Sequence, residues 1–137
     1  MTRPIVEALP IGLNPRGKIL KFANKATLRG SGELYFSAID PLRTKGWKLH
    51  NEMTMRLGVV SGEVSFCFYD FEESYLETVT LDFSSNALIL VPPKVWFAFR
   101  NCGMSTSVVV NLASIEHDEN ELVRRPLSSF RFMRNPI

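Results

Sequence analysis

The chain has 137 residues, a formal net charge of +2 and 45% apolar residues, which suits one domain built around a single core. No apolar run approaches the ~20 residues of a membrane-crossing helix. The basic residues are not interleaved with aromatics as a nucleic-acid module would have them, so neither membrane nor nucleic acid is expected as a partner. The charge is uneven: residues 1–32 hold six Lys or Arg against Glu7 alone, while residues 70–82 hold five acids and no base. A basic leading segment suits an anionic ligand such as a phosphate, and equally a solvated edge.

In chain order, "MTRPIVEALPIGLNPRGK" is interrupted by Pro4, Pro10 and Pro15, so no leader peptide is expected there. After Gly30-Ser31-Gly32, "GELYFSAI" alternates as a strand does. "MRLGVVSGEVSFCFYD" reads as two strands around a Ser61-Gly62 turn, with Val64, Phe66 and Phe68 on one face and Ser65, Cys67 and Tyr69 on the other. Asp70 is expected in a turn. "ETVTLDF" alternates again, "NALILV" is a buried-looking run, and "VWFAFRN" and "TSVVVNLAS" follow. Strands at roughly 8–12-residue spacing with turn residues between them indicate an all-β sandwich or closed barrel. Helical periodicity is weak: "DENELVRR" could make a turn or two with Asp118 as N-cap.

Cys67 and Cys102 lie in apolar contexts without CxxC spacing and are expected as buried free thiols, which fits a reducing cytoplasm. His117, in a polar stretch, is expected at the surface. The tail "RRPLSSFRFMRNPI" keeps Phe130, Phe132 and Met133 among polar residues. These side chains either cover an open barrel edge or pack on a second subunit, and a homodimer is the expectation.

Two stretches carry motif spacing. Lys48-x-His50-x4-Met55-x6-Gly62 has the form of His-x-His-x4-Glu-x6-Gly, and Pro92-x-Lys94-x2-Phe97-x3-Asn101 has the form of Pro-x-Gly-x2-His-x3-Asn. Both halves, in order, resemble the cupin superfamily over roughly residues 33–115, with 116–137 as a C-terminal tail of the same single domain, 1–137. The resemblance implies a jelly-roll β-barrel with motif side chains pointing into its mouth. A divalent cation would want imidazole and carboxylate ligands. The corresponding places hold Lys48, His50, Met55 and Phe97, so neither a metal nor another cofactor is expected. Phe97 and Phe99 are expected to fill the lumen instead.

Among metal-free cupins the chain resembles the dTDP-4-dehydrorhamnose 3,5-epimerases and the dTDP-sugar 3,4-ketoisomerases. The residues that carry this are Lys45-Gly46-Trp47-Lys48-Leu49-His50, then Met55-Arg56-Leu57, Gly62, Asp70, "LVPPKVWFAF" and "HDENELVRRPL". The resemblance implies metal-independent isomerisation or epimerisation of a 4-keto-6-deoxy nucleotide sugar for surface-polysaccharide biosynthesis. A base takes the proton next to the ketone and a donor stabilises the enolate. Carried over by position, His50 and Lys48 are the catalytic candidates, and Lys45, Arg56, Trp96 and Phe97 the substrate-binding candidates. The late-strand tyrosine that the epimerases use as acid has no counterpart, since no tyrosine follows Tyr75. The alternative is a non-catalytic cupin that binds a sugar or nucleotide sugar.

Overall fold

The computed structural model describes residues 1–134. Its strands are β1 (Ile5–Ala8), β2 (Ile11–Asn14), β3 (Gly17–Leu20), β4 (Glu33–Ile39), β5 (Thr44–His50), β6 (Met55–Ser61), β7 (Val64–Tyr69), β8 (Tyr75–Leu81), β9 (Ala87–Val91), β10 (Trp96–Asn101), β11 (Ser107–Ala113) and β12 (Leu122–Arg124). They form two five-stranded antiparallel sheets, ordered β1-β9-β6-β11-β4 and β12-β5-β10-β7-β8, with β2 and β3 as a separate hairpin. This is the cupin jelly roll that the alternating pattern and the motif spacing anticipate.

Period-two alternation decides what each face does. Val64, Phe66 and Phe68 enter the core between the sheets with Ile39, Leu57, Ile89, Phe97 and Val109. Each large apolar side chain buried there contributes about 1.5–3 kcal/mol relative to leaving it in water. The opposite faces of β5, β7 and β10 carry Trp47, Leu49, Cys67, Tyr69, Trp96 and Ala98, all buried under the C-terminal tail. Phe130 lies between Trp47, Tyr69 and Trp96, with ring centroids 5.2, 4.9 and 5.5 Å away. The tail is tied down by hydrogen bonds from the Trp47 indole to Leu127 O (3.1 Å) and from the Thr78 hydroxyl to Met133 O (2.7 Å). Phe130, Phe132 and Met133 therefore cover an outer sheet face of their own chain rather than a barrel edge, and their apolarity is accounted for without a second subunit.

Two motif residues prove structural. Asn101, fully buried, donates to Ile39 O and Ser105 O and accepts from Gly103 N–H and the Ser107 hydroxyl, which fixes the turn after β10. Gly62 sits at φ +81° where a Cβ would lie 2.1 Å from Ser107 Oγ, so the β6–β7 turn has room only for glycine. Asp70 accepts from Glu72 and Ser74 N–H in the expected turn, and Asp118 caps a 3-10 turn over Glu119–Glu121. The one α-helix among the described residues, α1 (Lys25–Arg29), is a single turn capped by Asn24, too short to leave a periodic signal. Cys67 is buried as expected, whereas Cys102 is exposed: it follows the last residue of β10, outside the sheet that covers its neighbours.

Candidate active site

β5 carries the centre of the site. Lys48 and His50 share a face by alternation, but Lys45 lies three residues from Lys48 and would point the other way in a regular strand. A bulge restores it: along β10, Phe97 pairs with Lys48 and Ala98 with Gly46, so Trp47 is the extra residue. Lys45, Lys48 and His50 consequently line one cavity with Tyr35, Ser37, Met55, Leu57, Phe97, Phe99, Val109, Asn111, Leu122 and, at its rim, His117. Its volume is about 100 Å³. That is well under the ~300–1,000 Å³ of sites that engulf a drug-sized ligand, so only a ring-sized group fits inside.

His50 is buried and lies nearly parallel to Phe97, 5.6 Å between centroids at 14°. Its Nδ1 is hydrogen-bonded to Glu121 Oε1, also buried. Glu121 Oε2 accepts from the backbone N–H of Glu52 (2.9 Å) and Met53 (3.3 Å). Burial pushes the Glu121 carboxyl up, but these two N–H groups and His50 together outweigh it and hold it below the usual carboxylate value. Burial lowers His50; the Glu121 hydrogen bond and charge pull it back only in part, and Lys48 adds to the lowering. The pair therefore rests as a carboxylate and a neutral imidazole. The proton is assigned to Nδ1, leaving Nε2 as the unprotonated nitrogen.

Glu121 belongs to the tail that the motif spacing leaves out. It immediately precedes β12, which pairs with β5 in the register Leu122–His50, Val123–Leu49, Arg124–Lys48. Asn51 N–H to Glu121 O (2.8 Å) and reciprocal bonds between Trp47 and Arg125 (3.2 and 3.0 Å) hold it there. Lys48 is partly buried; loss of water lowers its affinity for a proton first, with Arg124 and Lys45 adding to the effect.

Alternation excludes two expected residues from the cavity. Met55 and Leu57 point inward from β6, so Arg56 points outward, where it contacts Phe22 O (3.4 Å) and Glu7 (3.9 Å). Phe97 and Phe99 point inward from β10, so Trp96 packs under the tail, with the Arg125 guanidinium 4.5 Å above its ring. His117, expected at the surface, is half-exposed at the cavity rim and paired with Glu119 at 2.8 Å. A divalent cation does not suit this donor set: Met55, Phe97 and two lysines surround His50, whose Nδ1 is already engaged, and His117 at the rim is paired with Glu119.

The family model described as FdtA: WxcM-like, C-terminal matches residues 6–134. The chain belongs to that family. No curated protein matches it. Among solved structures, this family member is similar to a dTDP sugar isomerase from Desulfovibrio desulfuricans G20, with 29% identity, TM-score 0.82, and 92% of this chain and 85% of that one covered. A sugar 3,4-ketoisomerase from Thermoanaerobacterium thermosaccharolyticum, solved with TDP, shares the fold at 16% identity, TM-score 0.71, covering 90% and 88%. An epimerase from Mycobacterium tuberculosis does so at 17% identity, TM-score 0.76, covering 88% and 68%.

Proposed function

We propose that the chain is a metal-independent isomerase or epimerase of a 4-keto-6-deoxy nucleotide sugar of the dTDP type. The observation that carries this is the buried His50–Glu121 pair on the cavity wall beside Lys48. A neutral imidazole backed by a carboxylate is a general base able to take a proton next to a ketone. Lys48 and Lys45 supply positive charge: Lys48 to the enolate, Lys45 to the diphosphate. Phe97 gives the sugar ring an apolar wall. The cavity size fits the hexose, with the nucleotide extending over the mouth. Family membership and the likeness to a dTDP sugar isomerase support the same substrate class. This reading sets the enzyme in the cytoplasm, in surface-polysaccharide biosynthesis, as a homodimer.

The test is deuterium uptake from solvent into a dTDP-4-keto-6-deoxyhexose at the carbon beside its ketone. His50→Asn keeps hydrogen bonding and approximate shape, so dTDP affinity should stay within a few-fold while exchange falls by the ~10²–10⁴ of a general base. Wild-type protein that binds dTDP and exchanges nothing would make it a binding protein.

A further inference from the structure

Lys48 stands on the cavity wall without a counter-ion. It lines the cavity two residues before His50 on the same face of β5, partly buried. Among the described residues its amine makes no hydrogen bond and no ion pair. Lys18 and Lys94 differ: their amines donate to Phe83 O and Asn51 Oδ1 at 2.8 and 2.6 Å. The two carboxylates around Lys48 are already committed. Glu121 is held by His50 and two backbone N–H groups. Glu119, whose charge reaches Lys48, is held by the Arg124 guanidinium through two bonds and by His117 at 2.8 Å. Arg124 is itself the β12 residue in register with Lys48. An amine that is partly dry, set beside other cations and free of a carboxylate is able to give up its proton and attack a carbonyl.

We infer that Lys48 is a covalent catalyst, its amine condensing with the substrate's ketone to an iminium beside His50. This deepens, and rests on, the isomerase reading above. Loss of water first, then the charges of Arg124 and Lys45, weaken the hold of Lys48 on its proton, which supports the same role. The positive charge that Lys48 brings then lies on the nitrogen bonded to the reacting carbon.

The cycle balances with water as the only other reactant. Lys48 passes a proton to His50 Nε2, and the amine lone pair attacks the carbonyl carbon. The carbonyl π pair moves onto oxygen, which takes a second N–H proton to give the carbinolamine. His50 returns its proton to that hydroxyl, the C–O bond breaks, water leaves and the nitrogen lone pair forms C=N. His50, neutral again, takes the proton from the neighbouring carbon. The C–H pair becomes C=C and the C=N π pair returns to nitrogen. Water protonates the opposite face of that carbon, which inverts it and remakes the iminium, and the hydroxide left takes the His50 proton. Addition of water, by the reverse of the first steps, frees the ketone and Lys48.

The same balance limits the reaction. If the neighbouring hydroxyl-bearing carbon became the ketone, nitrogen would stay on the original carbon as an amine that water does not cleave. An imine cycle therefore epimerises the carbon beside the ketone and leaves the ketone where it is.

Sodium cyanoborohydride, added during turnover of a dTDP-4-keto-6-deoxyhexose, reduces an iminium to an amine that survives digestion. Peptide mass mapping should place the dTDP-sugar on Lys48, with excess dTDP preventing it. Lys48→Arg keeps the charge but forms no iminium; deuterium exchange should fall as far as in His50→Asn while dTDP affinity stays within about threefold. NMR of the product should show the ketone on its original carbon. Wild-type exchange without an adduct on Lys48, exchange in Lys48→Arg within about threefold of wild type, or a product whose ketone has moved overturns the inference and leaves the isomerase reading standing. Wild-type protein that exchanges no deuterium overturns that reading, and this inference with it.

Discussion

Glutamine in place of Glu121 changes one buried carboxylate oxygen to an amide nitrogen and should reverse the proton on His50. The backbone N–H groups of Glu52 and Met53 point at Oε2, so the glutamine must turn its carbonyl oxygen toward them. Its NH2 then faces His50 Nδ1, which has to accept, and the imidazole proton moves to Nε2. An Nε2–H imidazole cannot act as base through that nitrogen. The expected loss in kcat for deuterium exchange is about 10²–10⁴-fold, the full contribution of a general base. Three hydrogen bonds survive but lose their charge, each weakening by about 1 kcal/mol, so folding stability should drop by ~1–3 kcal/mol. The assay is kcat and dTDP affinity for both proteins, with ¹⁵N NMR of the His50 ring to read the tautomer. A Glu121→Gln protein with kcat within threefold of wild type would refute the reasoning. So would a large loss with Nδ1 still protonated.

Burial holds His50 below its usual value of 6.5, so kcat/KM should climb with pH through a pKa under 6.5 and then level off. Because folding favours the neutral ring, its contribution to stability is complete above pH 6.5 and is lost as pH falls through the folded-state value; NMR titration and urea melts against pH would show both. Phe130 is half-buried between three aromatic rings, so Phe130→Ala should cost about 2 kcal/mol, less than the ~3–5 of a fully buried ring. Urea unfolding checks it, and an unchanged midpoint would mean the clasp contributes nothing.

The strands were legible because polar and apolar residues alternate over most of them, and one sheet face meets the core while the other meets water or the tail. The same parity places Lys48 with His50, Tyr35 with Ser37 and Ile39, and Arg56 opposite Met55 and Leu57. Lys45 was harder, since its place in the cavity depends on a one-residue bulge at Trp47 that nothing in the local composition marks. Glu121 was illegible for another reason. It lies 71 residues from its histidine in a short polar stretch with no strand pattern, and only the pairing of β12 with β5 brings the two together. Asn111, in "VVVNLA", is the one polar residue of an apolar run; a buried amide there had to be bonded to something, and that was the available signal for it.

The carboxylate that sets the proton on His50 hangs from the weakest strand in its sheet. β12 is three residues long and lies at an edge, bonded on one side only, while β5 and β10 are paired on both. Local opening of such an edge takes less free energy than unfolding of the barrel. Warming should therefore release the base from its partner while the two sheets are still intact, so heat silences the chemistry before it melts the fold, and cooling restores it without refolding.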